Sequence, residues 1–323
     1  MASGSGGSLP SFIARRLLIS VLLLFLISLG IFSLILLMPG NPAITLAGGT
    51  RATPAEIAKI TNQLHLNQGF FAQYWRWLSG ALHGNLGQSL FQNGSVTSGI
   101  AARFPVTFAV AAGGMVIAIL LGLPSGIISG IRQGTVRDRA VTIGSSIAVA
   151  MPDFWLGILL VIIFAVKLRW LPALGYTPFT QSPFEWFKDL LLPWLALGIG
   201  GSAVIARQVR GSLIDTLDQD YMRTALAKGL TPRLVIGKHA LKNALSPAVT
   251  VIGIQFGYLL GGTLIIEQIF SLPGLGTYII QAISEKDIPE IQGVVLVVAV
   301  SFIIINLIVD VIYGYLNPKV RLA

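Results

Sequence analysis

Six apolar stretches constrain this 323-residue chain more than any other feature. They are Leu17–Leu37, Val106–Ile131, Ala140–Val166, Leu190–Ala206, Pro247–Ile266 and Ile291–Val309, and Asp153 is the one charged residue among them. As helices rising 1.5 Å per residue, they are long enough to cross a hydrocarbon core of roughly 30 Å, Leu190–Ala206 being the shortest. A soluble surface is out of reach: 54% of the residues are hydrophobic and 11% charged, with a mean hydropathy of +0.79. The bilayer must therefore solvate much of the chain. Regular alternation of apolar and polar residues is lacking, which argues against a barrel, and no inverted repeat of the secondary-transporter kind stands out. The expectation is an all-α membrane protein with six transmembrane helices.

The polar segments between the spans set the orientation. Residues 1–10 are small and polar and are expected to be a disordered tail, followed by a first transmembrane helix within 11–38. The apolar run is too long for a signal-peptide core, and Met38-Pro39-Gly40 offers no small-x-small cleavage site. Residues 39–102 form the longest polar region and are placed outside. Within it Thr53-Pro54-Ala55-Glu56 is a capping box with proline at the first helical position, predicting a short helix to about Leu64. Phe70, Phe71, Tyr74, Trp75 and Trp77 follow closely, as an interfacial aromatic belt or a docking surface for an external partner. Residues 103–318 then hold five helices and a loop at about 207–245, and 319–323 are a tail. The segments placed inside carry Arg15, Arg16, Arg132, Arg137, Arg139, Arg207, Arg210, Arg223, Lys228, Arg233, Lys238, Lys242, Lys319 and Arg321, most of the 22 Lys and Arg. The net charge of +9 thus follows the positive-inside rule, with both termini cytoplasmic.

The 207–245 loop is the most organised polar segment. Asp218 or Asp220 is expected to cap a short helix with Lys228 in its last turn, and Gly229 supplies the left-handed residue at which a helix stops. Thr231-Pro232 restarts the chain as N-cap and first helical residue. A helix-turn-helix DNA reader also has helix, turn, helix and basic residues. Such a reader needs a compact third helix free of the membrane, whereas this loop is tethered by spans on both sides. No nucleic-acid partner is expected.

The same loop resembles the cytoplasmic loop of ABC-importer permeases. Their signature runs Glu-Ala-Ala, three residues, Gly, nine residues, Ile, one residue, Leu-Pro. Aligned on Gly229, this chain has Arg223-Thr224-Ala225 in the first slot and His239-Ala240-Leu241-Lys242 in the last, so the Glu and the Pro are absent. The variant is similar to the dipeptide/oligopeptide (nickel) branch of the family. Ala14–Ala43, Ser145–Leu160, Ile265–Gly276, Asp287–Gly293 and Leu307–Leu322 resemble further segments of those permeases, although Asn41 stands where they commonly have Asp.

The resemblance implies a type I importer permease fold in a prokaryotic plasma membrane. It implies a homologous second permease subunit, two ATPase subunits or a fused pair, an extracytoplasmic substrate-binding protein and a di- or oligopeptide substrate. Asp220, Tyr221, Arg223, Thr224, Ala225, Lys228, Gly229 and Arg233 would meet the ATPase, and His239, Lys242 and Asn243 would brace the second helix of the loop against the first. ATP and Mg would be bound by the partner ATPases, with no cofactor or metal in this chain. Consistently, the sequence has no Walker A loop, no cysteine and three scattered histidines, His65, His83 and His239. The chain is thus expected to be a permease subunit rather than an enzyme. A stand-alone secondary transporter or channel is the alternative, and nickel chelates are an alternative cargo within the family.

Few polar groups are available to line a path: Asp153, Gln255 and Glu267 lead. Asp153 follows Met151-Pro152 inside a span, where a carboxylate is costly unless paired or hydrated. It attracts the ammonium end of a peptide, satisfies backbone freed by Pro152, or forms a salt bridge within the complex. Glu267 either faces a gate or pairs locally.

Overall fold

The computed structural model describes residues 9–34, 43–44, 47–63, 66–92 and 94–316. The readings placed on Met38–Asn41, Leu64, His65, residues 1–8, Lys319 and Arg321 lie outside them. The described residues are helical with no strand: α1 Leu9–Ser33, α2 Pro54–Gln63, α3 Phe70–Leu82, α4 Val96–Ile131, α5 Val136–Ala150, α6 Asp153–Leu160, α7 Pro183–Leu217, α8 Asp220–Ala227, α9 Pro232–Phe270, α10 Leu275–Glu285 and α11 Ile288–Leu316. Five helices are long and apolar enough to cross a membrane: α1, α4, α7, α9 and α11. The sixth span is not one straight helix. At Met151-Pro152 the chain bends by 101° between α5 and α6, and α6 continues as a wide π turn over Val161–Lys167. Pro152 explains the break: it lacks an N–H and keeps Met151 extended (φ −87°, ψ 125°), so α5 cannot run on.

The chain divides into two compact units. The first takes Met1–Leu17, Thr107–Leu272 and Ile304–Ala323. Its centre is α7, 61% of whose most apolar stretch is buried. Glycine lets α4 lie directly against it: a Cβ on Gly122 would sit 2.7 Å from the Ser202 carbonyl oxygen, and one on Gly126 2.6 Å from that of Ala206. Trp194 of α7 donates its indole N–H to the Ala109 carbonyl (3.0 Å). Asp310 pairs with Arg16 at 3.1 Å.

The second unit takes Leu18–Val106 and Pro273–Ile303. The expected capping box is present: Glu56 accepts from the Thr53 N–H (2.8 Å) while the Glu56 N–H donates to Thr53 Oγ1 (3.3 Å). Those Thr53 hydrogen bonds hold the Glu56 carboxyl below its ordinary value. The aromatic run divides by helical period. Phe70, Tyr74 and Trp77 lie on one face of α3, with ring centroids 5.4–5.6 Å from that of Phe32 on α1. Phe71 and Trp75 point away, 76% and 67% exposed. Only that outer pair remains free to serve as a belt or docking surface. Asp287, fully buried, straps the loop before α4 to the start of α11. One carboxylate oxygen accepts from Ser89 Oγ (2.6 Å) and the Leu90 N–H (2.7 Å), and the other accepts from the Glu290 N–H (3.3 Å).

Candidate functional site

The loop between α7 and α9 is built as a rigid protrusion. Its N-cap differs from expectation. Asp218 has helical backbone (φ −78°, ψ −8°) and closes α7, so the extended Gln219 (φ −69°, ψ 145°) precedes α8. Asp220 lies inside the first turn, where its charge complements the helix dipole without a side-chain cap. The C-terminus follows the glycine reading. Gly229 is left-handed (φ +79°), its N–H donates to the Leu226 carbonyl (2.9 Å), and the Leu230 N–H reaches back to that of Ala225 (3.4 Å). This pair of bonds is a Schellman motif, completed by Leu230 and Ala225 packing on one apolar cluster. Thr231 is the N-cap of the next helix with Pro232 after it, although its hydroxyl makes no capping bond.

Met222 anchors α8. It is 2% exposed, in a cluster with Leu213 of α7 and Val235, Ala240 and Ala244 of α9. Beyond this anchor α8 is largely open: Tyr221 and Leu226 are 44% and 49% exposed, with exposed Arg223, Thr224 and Lys228 beside them. Arg223 is 4.0 Å from Asp220, a solvated pair one turn apart. A second tie runs from α9: Asn243 donates through Nδ2 to Tyr221 Oη (3.1 Å) and to the His239 carbonyl (3.1 Å). His239 lies in a wide turn, Val235–Ala240, where the Leu241 N–H skips to the Ile236 carbonyl. Arg233 and Lys242 are exposed. Of the residues expected to brace the loop, Asn243 makes the side-chain contact.

Asp153 and Gln255, far apart in sequence, line one cavity of about 150 Å³. Its walls are Met151 before α6, Leu197, Gly200 and Gly201 of α7, and Gln255 and Leu259 of α9. Asp153 opens α6, with the N-terminal dipole beneath its carboxylate. Its Oδ1 lies only 2.7 Å from where a Cβ on Gly200 would stand. Among the described residues it makes no hydrogen bond or ion pair, so the freed backbone at Pro152 is not its partner. A carboxylate held in an apolar span needs water or a cation as its partner. Glu267 does not join this group: it is fully buried near the C-terminus of α9 and lines no part of the cavity.

One constellation escaped the sequence reading. Asp138 on α5, 4% exposed, takes a two-point bond from Arg210 on α7, Nε to Oδ1 at 2.7 Å and a terminal nitrogen to Oδ2 at 2.9 Å. Ser129 Oγ and the Gly134 N–H (2.8 Å) donate to the same carboxylate. In sequence Arg210 counted only among the basic residues placed inside, and Asp138 was not singled out. The local signal was Thr135-x-x-Asp138, an N-cap pattern in which Thr135 caps α5.

Membrane-length helices carrying a braced, exposed helix between two spans define an integral membrane protein with an outward docking element. The chain belongs to the family described as binding-protein-dependent transport system inner membrane component, which matches residues 122–322. The family's N-terminal region matches residues 9–111. A probable peptide ABC transporter permease protein of Sinorhizobium fredii is 38% identical over 310 residues, covering 96% of this chain and 99% of that protein. A glutathione transport system permease protein of Escherichia coli is 38% identical over 312 residues, with 96% and 99% covered. Among solved structures, the inward-facing MetNI methionine ABC transporter superposes with a TM-score of 0.56 at 20% identity, covering 68% of this chain and 96% of that one. The fold is that of a type I importer permease.

Proposed function

We propose that this chain is one permease half of an ATP-driven importer of short peptides, working with a second permease subunit, two ATPase subunits and an extracytoplasmic binding protein. The observation that carries the reading is the connection of α8 to the cavity. α8 follows α7 directly and is pinned to α9 through Met222 and Asn243. These two helices supply Gly200, Gly201 and Gln255 to the cavity wall.

The exposed Tyr221, Leu226, Arg223 and Lys228 would seat on the ATPase, with ATP and Mg held there. Motion of the ATPase then moves α8 as a rigid piece. Gly200 lies roughly 25 Å along α7 from its end at Leu217, so a small tilt at the loop becomes a displacement at the cavity. Asp153 would offer a carboxylate to the ammonium end of a passing peptide. Low polarity elsewhere suits a conduit whose selectivity comes from the binding protein. The peptide relatives support the cargo class.

Purification of the chain from its native membrane in mild detergent tests this reading. Two ATPases and a second permease should co-purify, and peptide uptake into vesicles should require ATP. Recovery of the chain alone, transporting without ATP, would replace the reading with a stand-alone transporter.

A further inference from the structure

A further cavity lies at the ends of two spans, away from Asp153. It measures about 400 Å³, within the roughly 300–1,000 Å³ typical of small-molecule sites. The turn between α4 and α5 supplies Gln133 and Gly134 to its wall. The first turns of α5 supply Asp138, Arg139, Thr142 and Ile143, and α7 supplies Arg210. All of them belong to the first compact unit.

Its depth follows from the order of residues. Arg139 stands immediately before the apolar stretch that begins at Ala140. Arg210 lies one turn beyond Ala206, where the stretch from Leu190 ends. Two guanidiniums at the ends of two neighbouring spans sit at the level of lipid phosphates.

The walls are set without a ligand. The Arg132 carbonyl accepts from the Thr135 N–H (3.2 Å) and from Thr135 Oγ1 (2.6 Å), which closes the turn. Arg210 is clamped to Asp138, and Asp138 to the Gly134 N–H, so turn, α5 and α7 form one frame. Such pre-organisation lowers the ordering cost of binding.

Charge decides what fits. Asp138 and Arg210 neutralise each other, and both oxygens of the carboxylate are occupied. Arg210 gives that pair two of its five N–H donors, and its other terminal nitrogen makes no hydrogen bond among the described residues. Arg139 is exposed, and its guanidinium has no hydrogen bond or ion pair among the described residues. The cavity therefore holds one uncompensated positive charge, with the Thr142 hydroxyl one turn along α5 as a further donor. Donors of this kind around a single net charge match a phosphodiester. Further along the same face α5 turns apolar, with Ile143 and Ile147 exposed one turn apart.

We propose that this cavity holds the headgroup of an anionic phospholipid, with Arg139 on the phosphate and an acyl chain along Ile143 and Ile147. A zwitterionic headgroup brings its own cation toward Arg139 and fits less well. The bound lipid bridges the turn before α5 to α7, the helix that leads into α8.

The test places the intact importer complex in nanodiscs of phosphatidylcholine with a trace of photoreactive phospholipid, its diazirine close to the glycerol. The probe is offered as phosphatidylglycerol or as phosphatidylcholine, and cross-linked residues are mapped by mass spectrometry. Labelling within 133–147 should be at least about fivefold greater with phosphatidylglycerol. Arg139→Gln should bring it down to the phosphatidylcholine level. Arg137→Gln, at an exposed position outside the cavity, should leave it unchanged. The comparison of the two probes on the unaltered protein stands even where a variant fails to assemble. Equal labelling by the probes overturns the site, and so does an equal loss in both variants, the mark of a diffuse surface field. Protection by millimolar glycerol phosphate would assign the cavity to a free phosphate ester and overturn the lipid. Labelling of the isolated chain but not of the complex would show that the second permease covers this face, which overturns it too. None of these results bears on the cargo or on coupling to the ATPase.

Discussion

At the scale of single residues, the Asp138–Arg210 pair shows how one buried charge can hold two helices 72 positions apart. Every acceptor site on the carboxylate faces a donor, which is the condition under which a buried ion pair offsets its desolvation. Asp138→Asn keeps the shape, removes the charge and presents an amide to donors. Because the Arg210 side chain is 29% exposed, water recovers part of the loss, and about 2 kcal/mol of destabilisation is expected. The thermal midpoint of the purified complex should fall by several degrees. Exchanging the two residues should not restore it, since the Ser129 hydroxyl and Gly134 N–H would then face a guanidinium; an unchanged midpoint in either variant would refute the role given to the pair. Asp153 is expected to behave oppositely. Asp153→Asn should leave assembly unchanged and lower peptide uptake by about tenfold, and Gly200→Ala should do the same by displacing the carboxylate across a 2.7 Å approach. Reduced assembly without a transport-specific effect would make Asp153 structural. Asp153 was legible because a charge in an apolar run is conspicuous. Asp138 was not, because an acid among arginines near a membrane end reads as solvated until a partner on another helix is seen.

Among the elements, α8 is the one whose sequence spoke most directly, since its stop is local chemistry. A glycine after a basic last turn, then Thr-Pro, dictates helix, left-handed residue, helix, and the structure has all three. Its start was misread because several acids compete near the N-terminus, and which one is extended depends on how far α7 runs. Met222 and the wide turn at Val235–Ala240 were equally hidden, being set by packing between α7 and α9. Gly229→Val isolates the turn. A Cβ there meets nothing within 4 Å, so the cost is backbone strain alone, about 1–2 kcal/mol. That is enough to unwind the last turn of α8 without disturbing the bundle. Peptide imported per ATP hydrolysed should drop severalfold in proteoliposomes while assembly stays normal. Gly229→Asn should lose much less, because asparagine tolerates the left-handed region. Equal coupling in the valine variant and the native chain would remove Gly229 from the mechanism.

For the whole molecule, six apolar runs were legible, and the helices they seed are present. Their true ends were not, because polar and small residues extend α4 back to Val96 and α9 back to Pro232, where packing replaces hydropathy as the stabilising term. The 101° bend was likewise invisible in size, although Pro152 marked its place. The orientation rests on the distribution of Arg and Lys and can be measured with little disturbance, since the chain contains no cysteine to remove. Gly49→Cys and Gly134→Cys introduce thiols where a Cβ meets nothing within 4 Å. Both backbones are left-handed, φ +69° and +77°, so each change costs about 1–2 kcal/mol locally and leaves the bundle unaffected. A membrane-impermeant maleimide applied to intact cells should label the cysteine at position 49 and spare the one at 134, which should react only after permeabilisation. Ala227→Cys, on the exposed face of α8, should follow position 134. If 227 labelled with 49 instead, α8 would face away from cytosolic ATP, and a mechanism that pushes on α8 from an ATPase would be untenable. Agreement between 134 and 227 would place the Asp138–Arg210 pair and the coupling helix at the same membrane surface, as a push transmitted through α7 requires.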